Sequence, residues 1–186
     1  MQFDKLEKSD MRCVVDCYRE YIEDLNWVDY YFSEDFINKG GFGFKAVEDG
    51  RICGFIVASK GVNLSGRKYP KVENKIYKKY DVNQIYTIDL CFVKPEYRGL
   101  SLSDRLNSIM KKEMRSRGID KVFLEMTWNE NKQFAGEHLG LKHFSLIEYY
   151  GEFDDVYKGE TPQEKECIIC KKNPCECHTK FYLCKV

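Results

Sequence analysis

Two short stretches of the 186-residue chain hold residue types whose spacing could do chemistry. The first is an apolar run that passes through the pattern Val-x-Pro-x-x-Arg-Gly, at Val93–Gly99, into apolar residues at helical spacing. A strand that ends in small residues and continues as a helix directs backbone N–H groups and the positive end of the helix dipole at one point. This stretch therefore predicts a turn that can hold a phosphate group.

The second stretch is rich in cysteine. It places Cys167, Cys170, Cys175, Cys177 and His178 within 12 residues. Tetrahedral zinc takes four thiolate or imidazole ligands, and two closely spaced pairs of ligands can supply them from one segment. We predict one structural zinc ion bound by the first three cysteines and by either Cys177 or His178. Reduced thiols, disulfides and an iron–sulfur cluster are the alternatives.

Two carboxylates interrupt apolar strand patterns. Asp89 stands in the sequence Ile-Asp-Leu, and Glu125 stands in Leu-Glu-Met. Burial raises the pKa of a carboxyl group towards the range in which it can act as a general base and take a proton from an ammonium group. Either residue is therefore a candidate base, and the alternative for each is a strand carboxylate that faces solvent.

Composition narrows the class of protein. Lys plus Arg and Asp plus Glu both count 30, so the net charge of +0 gives no overall attraction to nucleic acid or anionic lipid. The longest aliphatic run, Gly54–Ala58, is far shorter than the ~20 residues that span a bilayer. Four of the nine cysteines lie in helix-like or strand-like patterns, which indicates a reducing compartment. We expect one cytoplasmic domain over residues 1–186, with no membrane or nucleic-acid partner, and a homodimer stays open.

Hydrophobic periodicity predicts an α/β protein with the element order β-α-α-β-β-β-α-β-α-β-β. An apolar stripe predicts a helix from Asp10 to Leu25, and Ser33 is a good residue to begin a second, short helix. Gly118 and Gly140 are each expected to end a helix. The other predicted elements are strands at 42–48, 52–60, 85–93, 121–128, 142–150 and 179–186 and helices at 102–118 and 132–139.

Two segments are predicted to be insertions in this order. Residues 61–83 are rich in lysine with interleaved tyrosines, and we interpret them as a solvated basic insertion. Binding of single-stranded nucleic acid is the alternative for this segment. Residues 158–180 hold the cysteine cluster and form the predicted zinc-binding insertion before the last strand, which the metal would help to hold in place.

The motif at Val93–Ser103 resembles the GCN5-related N-acetyltransferase (GNAT) superfamily, whose members carry Val-x-Pro-x-x-Arg-Gly-x-Gly-x-(Gly/Ala) between a strand and a helix. Leu-Glu-Met at 124–126, Asn129 and Gly-Leu at 140–141 are similar to the family's next strand and helix. The resemblance implies the GNAT fold, a mixed central β-sheet flanked by helices. It also implies that acetyl-CoA is the co-substrate and that the acetyl group passes directly to a primary amine of a small molecule or a peptide.

The resemblance also implies roles for individual residues. Amides at the end of the strand would hold the pantetheine arm and the thioester, and amides of the turn would hold the pyrophosphate. Glu125 matches the base of some protein N-terminal acetyltransferases, and Asp89 is the other candidate. We expect the Cys91 side chain to be a small buried hydrophobe and not a nucleophile. The implied cofactor-binding residues are Cys91, Phe92, Val93, Arg98, Gly99, Leu100, Ser101, Leu102, Ser103, Asp104 and Asn129.

The sequence departs from the family pattern at three positions. Ser101 and Ser103 stand where the pattern has Gly and Gly or Ala, and Ser101 carries a Cβ atom into a place of close approach. Gly136 stands where many members have the tyrosine that protonates the leaving thiolate, and Tyr149 or Tyr150 is predicted to replace it. These departures leave a rival hypothesis, a non-catalytic acyl-CoA-binding or zinc-stabilised interaction module.

Overall fold

The structure is a computed structural model, and it describes residues 1–19, 34–62, 70–128, 136–154, 172 and 176–186. The described strands and helices follow the predicted order, with one additional helix between the third and fourth strands. No helix in these ranges is long and apolar enough to cross a membrane. The elements are β1 Gln2–Lys5, α1 Met11–Arg19, α2 Glu34–Asn38, β2 Phe42–Glu48, β3 Arg51–Lys60, α3 Pro70–Lys79, β4 Ile85–Val93, α4 Leu102–Ser116, β5 Lys121–Trp128, α5 Gly136–His143, β6 Ser145–Asp154 and β7 His178–Lys185.

The described strands form one seven-stranded sheet in the order β1-β2-β3-β4-β5-β7-β6. β4 and β5 pair in parallel, and every other neighbouring pair is antiparallel. A parallel pair needs a crossover connection, and α4 supplies it between β4 and β5. The predicted α/β class with a mixed sheet is confirmed.

Helices α4 and α5 cover one side of the sheet, called the α4 face below. Every fourth residue of α4 from Leu102 to Met114 is buried, so one stripe of the helix meets the sheet. Full burial of each such side chain contributes about 1.5–3 kcal/mol. The stripe packs against buried strand residues that include Phe44, Ile56, Val122, Leu124 and Tyr182.

The opposite side of the sheet, called the α1 face, is covered in two separate patches. Helices α1 and α2 pack over β3 and the C-terminal half of β4. Helix α3 packs over β5, β7 and β6. The buried members are Met11, Val14, Phe36, Phe55 and Phe92 in the first patch and Val72, Ile76, Phe123, Phe181 and Leu183 in the second.

The segment predicted to be a solvated basic insertion contains a packed helix. In α3, Val72 and Ile76 have 1% and 0% of their surface exposed, so the prediction of a solvated insertion is wrong for Pro70–Lys79, which pack as a helix. These two apolar residues, four positions apart, form a stripe among lysines, and Lys75 and Lys78 remain exposed. A stripe of only two residues is too short for periodicity to detect.

Some helix boundaries differ from the predicted ones. α1 is described up to Arg19, so the predicted end at Leu25 lies outside the described residues, whereas α2 follows Ser33 as predicted. α5 runs through Gly140, so the prediction that this glycine ends a helix is wrong. A Cβ atom on Gly140 would meet the terminal methyl group of Met126 and lie 3.1 Å from Leu124 of β5, so the helix lies close to the sheet at this glycine.

Candidate active site

The ladder between β4 and β5 ends halfway along the two strands. The parallel register joins Ile85–Ile88 to Lys121–Leu124 and goes no further within these strands. Beyond that point β4 continues to pair with β3, and β5 continues to pair with β7. The two strands therefore separate into a fork, in which backbone N–H and C=O groups of both strands can bind a ligand.

A β-bulge lies at the start of the fork. Ala58 of β3 pairs with Ile88 and Val57 pairs with Leu90, so Asp89 is the extra residue on β4. A bulge bends its strand and turns the local side chains, and bulges are common beside active sites. The Asp89 side chain is half-buried, and its Oδ1 accepts a hydrogen bond from the Ser59 hydroxyl at 3.0 Å.

The two candidate bases lie side by side at this point. Asp89 and Glu125 are each the first residue beyond the last β4–β5 pair. Phe123 belongs to the core of the α1 face, so alternation puts Glu125 on that face too, together with Ser59 and Asp89. Paired strands are about 4.8 Å apart, and both residues directly follow the last pair, so both carboxylates lie near the mouth of the fork. Both residues are half-buried.

The predicted phosphate turn connects β4 to α4. Gly99 has φ +82°, and the space where its Cβ would lie is open for 4 Å. Ser101 has φ +56° and ψ 24°, a left-handed conformation that glycine adopts more easily than serine. The Nε atom of Arg98 donates to the carbonyl oxygen of Val93 at 3.3 Å, which holds the turn against the end of the strand. The first amides of α4 have no intrahelical acceptor, so they remain available to an anion.

The side chain of Asp104 is bound to α5. Its Oδ1 accepts from Nζ of Lys142 at 2.6 Å and lies 2.9 Å from Nε2 of His143. The hydrogen bonds from Lys142 and then His143 lower the pKa of the Asp104 carboxyl group. The carboxylate therefore connects the N-terminal turn of α4 to the end of α5, and the backbone amide is the part of Asp104 that can contribute to the phosphate turn.

Cys91 lies on the part of β4 that borders the fork. The residue is exposed, so the prediction of a buried hydrophobe is wrong. Its thiol nevertheless lies against α4, with Nδ2 of Asn107 at 3.7 Å from Sγ. Burial of the thiol on that side raises the pKa of Cys91 to about 12, so it is neutral at neutral pH and a poor nucleophile.

The two predicted replacement acids lie on opposite faces of the sheet. The Tyr149 ring stacks on Tyr182 with centroids 5.1 Å apart, which places it on the α4 face, opposite the two carboxylates. Tyr150 is buried, and its hydroxyl donates to Glu148 at 3.2 Å. Burial and the neighbouring Glu148 carboxylate raise the pKa of Tyr150, which makes it a weaker acid. α5 begins at Gly136, so no phenol stands at that position, and Asn129 lies outside the described residues.

Most of the predicted zinc ligands also lie outside the described residues. Cys167, Cys170 and Cys175 are among these, whereas Cys177 is buried just before β7. Within the described ranges, no group of three or more His, Cys, Asp or Glu side chains could hold a metal ion. The zinc site therefore stays a prediction from the sequence.

A cavity of about 230 Å³ lies at the other end of the molecule. Its lining includes Leu6, Phe36 and Phe42 and the Arg117 side chain at the C-terminal end of α4. The phosphate turn is at the opposite end of that helix. The fork and the turn, which bring backbone donors and carboxylates together, are the better candidate for an active site.

Comparison with known proteins identifies the family. The sequence profile of the acetyltransferase (GNAT) family matches residues 4–140, so the chain belongs to this family. No curated protein matches the sequence. The ribosomal-protein-alanine N-acetyltransferase of Brucella melitensis has a TM-score of 0.65 and 13% identity, with 100% of both chains covered. An N-acetyltransferase of Staphylococcus aureus Mu50 has a TM-score of 0.64 and 15% identity, covering 98% of this chain and 96% of its own. At these identities the similarity shows the fold alone.

Proposed function

We propose that the protein is an acetyl-CoA-dependent N-acetyltransferase that moves an acetyl group directly to a primary amine of a small molecule or a peptide. The observation that carries this proposal is the fork between β4 and β5, which has two carboxylates at its start. The phosphate turn follows directly from the end of β4, so one strand connects both parts of the site. Membership of the acetyltransferase family supports the same function.

The residues of this site fit CoA. The turn supplies backbone amides and the positive end of a 15-residue helix, which suit a pyrophosphate, and the open space at Gly99 lets a ligand approach the backbone. Amides of Gly99–Asp104 would hold the pyrophosphate, and the backbone of Cys91–Val93 would hold the pantetheine arm. Acetyl-CoA supplies the activated thioester when it is bound.

The carboxylates supply the base. Asp89 or Glu125 takes a proton from the acceptor ammonium, directly or through water, so that the free amine can attack the thioester carbonyl. Ser59 orients Asp89 by donating to its Oδ1. Both carboxylates lie on the α1 face, between the patches covered by α1–α2 and by α3, so the acceptor enters from that side.

The position of the usual phenol is Gly136, and the two predicted replacement acids lie on opposite faces of the sheet. A thiolate is a weak base, and water can protonate it. We therefore propose that solvent protonates the leaving thiolate, with Tyr149, on the sheet face that α5 covers, as the alternative acid.

The test is CoA release from acetyl-CoA in the presence of a panel of amines, polyamines and peptides. CoA is separated by chromatography, because thiol reagents would also react with cysteines of the protein. The matched control is the double variant Asp89→Asn, Glu125→Gln, which keeps the side-chain shapes and removes both bases. We expect turnover with at least one amine and a loss of about 10²–10⁴-fold in the control. Turnover that is equal in both proteins would contradict the proposed mechanism.

Two observations favour a second candidate function, a non-catalytic acyl-CoA-binding or zinc-stabilised interaction module. Ser101 adopts a strained conformation in the turn, and α5 begins at Gly136 without a tyrosine. Binding of acetyl-CoA by calorimetry, combined with no turnover across the whole panel, would support the module. The structural zinc ion, with Cys167, Cys170, Cys175 and Cys177 as ligands, is proposed from the sequence for either function.

A further inference from the structure

One polar side chain interrupts the buried stripe of α4. Asn107 has 5% of its surface exposed, and the other buried residues of this helix are leucines and methionines. An amide buried among apolar side chains costs free energy unless its donors and acceptors have hydrogen-bond partners. The position of Asn107 therefore needs an explanation that hydrophobic packing does not give.

The Asn107 amide connects the phosphate turn to the fork. Its Nδ2 donates to the carbonyl oxygen of Ser103 at 2.8 Å and lies 3.7 Å from Sγ of Cys91. A carbonyl oxygen only accepts hydrogen bonds, so Nδ2 and not Oδ1 must face Ser103. The side chain thus reaches from the first turn of α4 to the part of β4 that borders the fork.

The oxygen of the same amide is the part that a ligand can reach. Within the described part of the chain, both hydrogen bonds of the Asn107 side chain come from Nδ2, and Oδ1 is not among the buried atoms that lack a partner, so Oδ1 is accessible to a ligand. A ligand that lies along this side of the fork and carries an N–H group could donate a hydrogen bond to Oδ1. The pantetheine arm of CoA has two amide N–H groups and would run from the phosphate turn towards Cys91.

We propose that Oδ1 of Asn107 accepts a hydrogen bond from an amide N–H of the pantetheine arm, which makes Asn107 a binding residue that recognises the arm and not the nucleotide. This inference rests on the proposed function, because it requires that CoA binds at the fork. Asn107 then binds the arm with Oδ1, while Nδ2 donates to the Ser103 carbonyl oxygen four residues earlier in the same helix. No pattern in the sequence indicates this role, since an asparagine inside an amphipathic helix resembles a surface residue.

The experiment compares two ligands by calorimetry. CoA carries the arm, and adenosine 3′,5′-bisphosphate carries the ribose phosphates without it. In Asn107→Leu, an apolar residue of similar size, the affinity for CoA should fall about three- to tenfold, and the affinity for the bisphosphate should stay within twofold. Met110→Leu, a volume-conserving change in the same stripe, is the matched control and should change neither affinity.

A second measurement changes the ligand. A CoA analogue with esters in place of the two arm amides has no N–H to donate, so wild-type protein should bind it less tightly than CoA. The same replacement should cost less in Asn107→Leu, because the two changes remove one interaction. Equal losses for CoA and the bisphosphate, or an analogue that wild-type protein binds as tightly as CoA, would overturn the inference. Wild-type protein that binds neither CoA nor the bisphosphate would overturn the proposed function itself.

Discussion

Replacing Ser101 by glycine should stabilise this protein, in contrast to most substitutions by glycine. Ser101 has φ +56°, and a residue with a Cβ atom pays about 1–2 kcal/mol for that conformation. Glycine avoids this strain, but its larger conformational freedom in the unfolded chain lowers the stability by about 0.5–1 kcal/mol. The Ser101 side chain makes no capping hydrogen bond and is exposed, so no contact is lost. The net expectation for Ser101→Gly is a gain of about 0.5–1 kcal/mol.

Ser103 is the matched control, because it stands two residues further on in the same motif and has no positive φ. In the first turn of α4, Ser103→Gly should cost about 0.5 kcal/mol. For a chain of this length 1 kcal/mol corresponds to about 2–4 °C in Tm, so thermal melts of the two variants should move in opposite directions. Acetyl-CoA affinity of Ser101→Gly should be equal to or higher than that of the parent. A Ser101→Gly variant that melts as low as Ser103→Gly would refute the strain argument.

Three further predictions concern the base, the α4–α5 contact and the metal. Asp89→Asn and Glu125→Gln should be assayed singly, and the variant of the true base should lose about 10²–10⁴-fold in kcat. The decrease of the rate at low pH, where the base becomes protonated, should also disappear in that variant. Unchanged pH–rate profiles in both variants would exclude both residues. The pKa of Asp104 is lowered below its ordinary 3.8, so its contribution to stability is present above that pH and is lost as the pH falls through the lowered pKa. Urea unfolding of the parent and Asp104→Asn should therefore differ at pH 7 and converge in strong acid, and a difference that grows on acidification would contradict this. Elemental analysis of protein purified without a metal-binding tag should find one zinc per chain, and Cys167→Ser, Cys170→Ser should lower both zinc content and Tm.

Local patterns in the sequence predicted the local parts of the structure well. The motif at Val93–Gly99 lies between β4 and α4 as expected, because strand, turn and helix are set by residues within a few positions of each other. The paired strands β2 and β3 are joined by the sequence Asp49–Gly50, which is typical of a tight hairpin turn, and both residues have a positive φ as such a turn requires. Gly118, just after α4, also has a positive φ, as expected for a helix end.

The features that depend on register were not predictable in the same way. The end of the β4–β5 ladder and the bulge at Asp89 depend on how three strands align, and no short pattern encodes that alignment. For the same reason the sequence could not show that Tyr149 lies on the face opposite Asp89 and Glu125. Gly140 was predicted to end a helix, because glycine is common both at helix ends and where a helix lies close to a sheet. The close approach of Met126 indicates the second of these.

The place of β7 in the sheet determines the order in which the fold can be completed. Among the described strands β7 comes last in sequence, yet it lies between β5 and β6 and joins β6 to the sheet. During synthesis β5 and β6 leave the ribosome first, and Phe123 and Tyr150 have no β7 side chains to pack against until residues 178–185 follow. Contacts between residues so far apart in sequence form slowly, because the connecting chain must first be closed. In the half of the sheet from β1 to β4, strands that are neighbours in sequence pair with each other, so this half can form early. The part of the sheet under α3 can be completed only after β7 has been added.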